Sequence, residues 1–166
     1  FFMRNPHIQT IYPSSFRKIK NVIYSRERVE LPDGDFVDID WSRKGNKKIV
    51  LVLHGLEGNS YESGILGMIM AFNKRGWDGV ALNLRGCSGV PNRFLRSYTG
   101  GLTEDLRYIM TYINRDNKYD EIAMTGSSLG GNLILKYLGE ECDKIDTKIK
   151  KAVVISVPCD LGACCR

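Results

Sequence analysis

Residues 28–41, "RVELPDGDFVDIDW", alternate apolar and polar positions on both sides of a Pro-Asp-Gly-Asp turn. Val29 and Leu31 precede the turn; Phe36, Ile39 and Trp41 follow it. With Pro32 and Gly34 supplying turn chemistry, this predicts an antiparallel hairpin. The pattern then changes. "KIVLVLH" (48–54) is continuously apolar, as a parallel strand covered on both faces must be. "YESGILGMIMAFNKRG" (61–76) places Ile65, Ile69 and Phe72 at helical spacing and stops at Gly76. A second buried strand follows at 77–84, and a helix starting at Thr103 with Leu106, Ile109 or Met110, and Ile113 on its apolar face. Thr103 reads as a hydroxyl N-cap, with Glu104 and Asp105 facing the helix dipole. A third strand (121–126), a third helix (129–141) and a fourth buried strand (150–158) complete the pattern. This alternation predicts an α/β fold, a mostly parallel sheet with helices on both faces behind an N-terminal antiparallel hairpin.

Two segments stand apart from the alternation. Residues 1–20, "FFMRNPHIQTIYPSSFRKIK", are aromatic and basic and read as an arm without regular structure, packed on the core (21–166) or on a partner. His7 within it reads as a residue tying the arm to the domain. The longest apolar run, "ILGMIMAF" (65–72), is too short to span a bilayer.

Charge adds a little. The net charge of +5 comes in clusters: Arg17, Lys18 and Lys20; Arg43, Lys44, Lys47 and Lys48; Lys148, Lys150 and Lys151. They read as solvated surface, with peripheral contact to anionic lipid headgroups through the arm as the sharper alternative. No basic motif is interleaved with aromatics, so nucleic acid is not an expected partner. The five cysteines are odd in number and contain no CxxC pair, which argues against a disulfide framework and a zinc site. Reduced thiols in a cytoplasmic protein fit this usage, and the vicinal Cys164 and Cys165 read as incidental. No pattern in the chain specifies an oligomeric state.

The chemistry concentrates at "MTGSSLGGN" (124–132). G-x-S-x-G maps onto Gly126, Ser127, Ser128, Leu129 and Gly130, after a β-rich run and before an amphipathic helix. A sharp bend there lifts the middle side chain clear of the sheet, which makes Ser128 the candidate nucleophile. Glycines on either side leave room for close backbone approach. The N–H of Leu129, at a helix start, can face a developing oxyanion. "LHGLEGNS" (53–60) resembles the loop that supplies the second donor, assigned to the N–H of Leu56, with His54 and Gly55 shaping the loop. A phosphate-binding loop is excluded by Gly-Gly-Asn where Gly-Lys-Ser/Thr is needed. Cys87, in "RGCSG", reads as a thiol lining the site mouth, and Asp160 as a capping residue rather than a triad acid.

These pieces together resemble the YheT-like branch of the α/β-hydrolase fold, AB hydrolase family four. The similarity rests on "NPHIQT" (5–10), "LPDGDFVDIDW" (31–41), "HGLEG" (54–58), "KRGWDGVALNLRGCSGVPNR" (74–93), "YTGGLTEDL" (98–106), "GSSLGGN" (126–132) and "SVPCDL" (156–161). It implies a serine hydrolase acting through an acyl-enzyme on carboxylic esters, short- or medium-chain or acylglycerol-like, with no cofactor and no metal. It also implies an acid and a histidine downstream of the last strand, for which this chain has no position. Ser127 departs from the aromatic residue often found before the nucleophile.

Both histidines, His7 and His54, precede Ser128. The order of an α/β hydrolase is Ser, acid, His. The expectation is therefore an N-terminal fragment, inactive by itself, whose last apolar strand has an exposed, aggregation-prone edge. Two rival readings share the same residues: a non-catalytic binding protein that keeps the fold, and an acyltransferase or thioesterase.

Overall fold

The computed structural model describes residues 4–164. Its centre is a six-stranded sheet: β1 (Ser25–Glu30), β2 (Phe36–Ser42), β3 (Lys48–Leu53), β4 (Asp78–Asn83), β5 (Glu121–Ser127) and β6 (Ile149–Ile155), in the order β1-β2-β4-β3-β5-β6. β1 and β2 form the expected hairpin and β2 pairs antiparallel with β4, while β4, β3, β5 and β6 run parallel. Each parallel crossover carries one helix: α2 (Ser63–Asn73), α3 (Glu104–Asn114) and α4 (Leu129–Glu141).

The helices divide the core in two. Leu51, Leu53, Val80 and Leu82 face α3 and α4, where Leu106, Ile109, Leu133 and Ile134 cover them. Val50, Val52, Ala81 and Ala123 face the other way, onto Ile65 and Ile69 of α2. Strand β3 is therefore buried on both sides, which is why its sequence shows no alternation.

Three expectations need correction. The arm is not irregular: α1 (Pro6–Phe16) is helical, with Asn5 Oδ1 accepting from the His7 N–H at 2.9 Å and Pro6 in the first turn. Asn-Pro is a helix-start signal that the basic, aromatic composition obscured. His7, read as a tie between arm and domain, is exposed on this helix. Thr103 precedes α3 but makes no capping bond; its hydroxyl donates to Glu140 of α4 instead. The strand expected at 150–158 is not buried, because β6 is outermost among the described strands and most of its residues are exposed. Cys165, of the vicinal pair, lies outside the described residues.

The hairpin holds a feature its alternation does not suggest. Every residue of β2 is buried, including Asp38 and Asp40. Their cross-strand partners are Arg28 and Arg26, and each arginine binds its aspartate with two hydrogen bonds of 2.8–3.0 Å. Arg85, just after β4, is itself buried; it binds both carboxylate oxygens of Asp105 at 2.7 Å and also reaches Asp33 (2.8 Å) and Asp35 (3.3 Å). This cluster ties the hairpin turn to the end of β4 and the first turn of α3.

Removing Arg85 leaves Asp35 and Asp105 without their shared counter-ion. Arg85→Ala is expected to cost about 3–5 kcal/mol in urea denaturation, whereas Lys48→Ala, which breaks the exposed pair with Glu121, costs under about 1 kcal/mol. Equal effects would mean that the buried cluster does not hold the fold.

Candidate active site

The site lies where the parallel strands end. β5 finishes at Ser127, α4 begins at Leu129, and Ser128 between them has φ 50° and ψ −123°. A positive φ is costly for a residue with a Cβ and persists only where surrounding contacts enforce it. Two do so here. The Ser128 N–H donates to the Ile155 carbonyl of β6 at 2.9 Å, and the Ser128 carbonyl accepts from the Asn132 N–H at 3.1 Å. The side chain of Ser128 is exposed, while Ser127 remains in the strand and half-buried.

The glycines set the spacing. A Cβ on Gly130 would lie 2.3 Å from the His54 carbonyl oxygen and 2.7 Å from that of Leu53. A Cβ on Gly126 would lie 2.7 Å from the Gly130 carbonyl carbon. Only glycines let α4 start this close to the ends of β3 and β5. Gly55 faces the serine itself, since a Cβ there would stand 3.3 Å from Ser128 Cβ and 3.8 Å from its Oγ. The loop after β3 and the bend after β5 are thus held in contact.

His54 is buried and both ring nitrogens are engaged. The Leu84 N–H donates to Nε2 at 3.0 Å, so the ring proton sits on Nδ1, which donates to the Gly55 carbonyl at 2.7 Å. Burial lowers its pKa, and the bond to Gly55 only partly opposes this. A histidine with its lone pair occupied and its charged form disfavoured cannot take a proton from Ser128. It joins the β3 loop to the end of β4.

The far end of this loop is held by groups that the sequence reading did not single out. Ser60 Oγ donates to Asp40 at 2.5 Å, the Ser60 N–H donates to Asn83 Oδ1 at 3.0 Å, and Asn83 Nδ2 donates to Asp40 at 2.8 Å. Burial alone would raise the Asp40 carboxyl; hydrogen bonds from Arg26, Ser60 and Asn83 outweigh it and hold the pKa below the usual range. The available signal was the register of the hairpin, which sets Arg26 opposite Asp40.

Beside the elbow lies an open cleft of about 740 Å³. Leu56, Cys87, Tyr98, Gly100 and Leu129 contribute to its walls. Leu56 is 71% exposed, and the Tyr98 hydroxyl accepts from the Glu57 N–H at 2.7 Å, fixing the turn after it. As the first residue of α4, Leu129 has an N–H with no carbonyl partner in its own helix. Burial pushes the Cys87 thiol up, so it is a wall of the cleft rather than a thiolate. Asp160 stands apart, accepting from the Ala163 N–H at 2.9 Å as the cap of the short helix α5 (Leu161–Cys164). Among the described residues no group of three or more His, Cys, Asp or Glu side chains is placed to hold a metal.

Comparison with known proteins agrees with this architecture. A family profile described as "alpha/beta hydrolase fold" matches residues 48–163. The chain is 40% identical to the Escherichia coli K12 protein named "Putative esterase YheT" over 96% of its own length and 48% of that protein. It is 34% identical to the Bos taurus protein named "Phospholipase ABHD3", over 86% of this chain and 36% of that one. It thus spans about half the length of these relatives or less. The solved structure of the Pyrococcus furiosus esterase Pf2001 superposes with a TM-score of 0.65 at 21% identity, covering 86% of this chain and 57% of the other, a likeness of fold.

The two bonds of His54 give a spectroscopic expectation. Nitrogen-detected NMR of its ring is expected to show one neutral tautomer at neutral pH, protonated at Nδ1, and to titrate only below the usual histidine range. Its folded pKa lies below the unfolded value of about 6.5, so its contribution to stability is present above that pH and falls as the pH drops toward the folded value. A ring that titrates with a midpoint at or above 6.5 would contradict the assignment.

Proposed function

The chain belongs to the α/β-hydrolase fold family, and we propose that it carries the nucleophile of a serine hydrolase that cleaves carboxylic esters, lipid acyl esters included, through an acyl-enzyme on Ser128. The observation that carries this reading is the backbone of Ser128. It is strained at φ 50°, pinned on both sides and solvent-facing, and the next residue, Leu129, lines the cleft. Strain of this kind is retained where it positions a functional group.

In this reading Ser128 Oγ attacks the ester carbonyl carbon and its proton passes to a base. The carbonyl oxygen takes the negative charge and rests between the N–H groups of Leu56 and Leu129. The tetrahedral centre then expels the alcohol, which leaves with that proton, and water hydrolyses the acyl-serine by the same route in reverse. The apolar side chains of Leu56 and Leu129 line the cleft where an acyl chain can lie. Neither histidine of these 166 residues is placed to act as the base: His54 is locked in its loop and His7 is exposed on α1. The reading therefore requires a base from outside them. The relatives named as an esterase and a phospholipase support the substrate class.

A fluorophosphonate probe is expected to label the complete protein at Ser128. Ser128→Ala removes the label and Ser127→Ala keeps most of it; the reverse pattern would mean that the other serine is the nucleophile. The oxyanion donors are tested by Leu56→Pro, which deletes one N–H and is expected to lower kcat about a hundredfold, roughly 3 kcal/mol in the barrier. A variant with an intact circular dichroism spectrum and unchanged kcat would take Leu56 out of the site.

A further inference from the structure

Helix α1 turns its apolar stripe outward. Ile8, Ile11, Tyr12 and Phe16 fall at i, i+3, i+4 and i+8, one face of a helix. Such a stripe ordinarily faces a core. Here Ile11 is 55% exposed, Tyr12 45% and Phe16 67%, with the Tyr12 and Phe16 rings stacked at 5.5 Å. Arg17, Lys18 and Lys20 follow directly, and Ile23 adds another apolar side chain that is 78% exposed.

Charge is as uneven as hydrophobicity. The chain has 24 basic and 19 acidic residues. The first 24 positions hold Arg4, Arg17, Lys18 and Lys20 and no acid, which leaves 20 basic and 19 acidic residues in the rest. Nearly all of the net positive charge therefore sits in the segment that also exposes the stripe.

The position of this segment is fixed at its C-terminal end. The Tyr24 hydroxyl donates to the Ser60 carbonyl at 3.2 Å, and the Tyr24 ring meets Tyr61 edge-on at 5.4 Å. The side chains of Arg17 and Ile19 pass over Gly67 of α2. Ser60 and Tyr61 belong to the loop after β3, so the arm is anchored at the end of the sheet that carries Ser128, Leu56 and the cleft. Between the arm and α2 runs a groove of about 730 Å³ walled by Arg17, Lys18 and Lys20 with Tyr61 and Leu66.

We propose that residues 4–23 form an interfacial anchor that docks the carboxyl end of the sheet onto a bilayer containing anionic phospholipid. The aromatic and aliphatic stripe of α1 enters the headgroup region while Arg17, Lys18 and Lys20 meet the lipid phosphates. A helix of this kind binds by buried apolar area together with electrostatic attraction. The docked orientation sets the cleft beside the lipid surface. The inference does not rest on the hydrolase reading, since neither the stripe nor the basic cluster takes part in the chemistry at Ser128.

The test is co-sedimentation of the complete protein with phosphatidylcholine vesicles, with and without phosphatidylglycerol. Binding is expected only with phosphatidylglycerol and is expected to weaken as salt is raised. Each basic residue at an anionic surface is worth about fivefold in affinity, so R17Q/K18Q/K20Q is expected to lose about a hundredfold. I11S/Y12S/F16S is also expected to lose binding, with an unchanged thermal melt because none of these three exposed side chains belongs to the core. Ser128→Ala is expected to bind as the parent does, which separates this result from any failure of the hydrolase reading. Absence of binding, equal binding to neutral vesicles, or insensitivity to both triple variants would overturn the proposal. So would a dimer seen by light scattering that I11S/Y12S/F16S dissolves while the parent ignores vesicles, since the stripe would then serve a second copy.

Discussion

The start of α4 lies so close to the end of β3 that no side chain fits between them at Gly130, and the rest of the site follows from that contact. A Cβ there would sit 2.3 Å from the His54 carbonyl oxygen, well inside van der Waals contact. To leave β5 and enter a helix at this distance, the chain must reverse direction within one residue. Ser128 absorbs the reversal with its positive φ. The strain is held by the hydrogen bond from its N–H to Ile155, so β6 takes part in positioning the serine. The same proximity sets Gly55 against the Ser128 side chain, and two loops far apart in sequence become one site.

The loop opposite the serine is held by polar groups taken out of water. His54 grips Leu84 at one end of it, and Ser60 grips Asp40 and Asn83 at the other. Burying such groups is unfavourable unless each is paired, and here each donor has a directed acceptor. Buried ion pairs add little net stability compared with apolar packing, but losing one partner is costly. The Arg26–Asp40 and Arg85–Asp105 pairs therefore act chiefly on geometry. They connect the hairpin, the end of β4 and the first turn of α3 to the rim on which the cleft opens.

That rim gathers most of what distinguishes the molecule. The elbow, the cleft and the anchored end of the basic arm all lie at the carboxyl ends of the parallel strands. In open α/β sheets the crossover loops meet at this end, so it is where residues distant in sequence can converge. At the opposite end Asp78 accepts from the Lys44 and Asn46 N–H groups and closes the turn before β3.

Periodicity determined the order of strands and main helices from β1 to β6, because the apolar spacing of β3, α2 and α4 directly reflects which faces are covered; the short α5 gave no such signal. The G-x-S-x-G spacing singled out Ser128 by the same local logic: glycines are needed where a strand and a helix nearly touch. Tertiary structure decided what depends on distant partners. Asp38 and Asp40 read as a solvent face of a strand, and only pairing with β1 shows that arginines bury them. The Thr103 hydroxyl was expected to cap its own helix and instead reaches Glu140, because α4 packs beside it. The stripe of α1 escaped notice because an apolar face signals a core only when something covers it, and exposure belongs to the fold rather than to the pattern. The state of His54 was likewise decided by a backbone N–H thirty residues away, which occupies the lone pair a catalytic base would need.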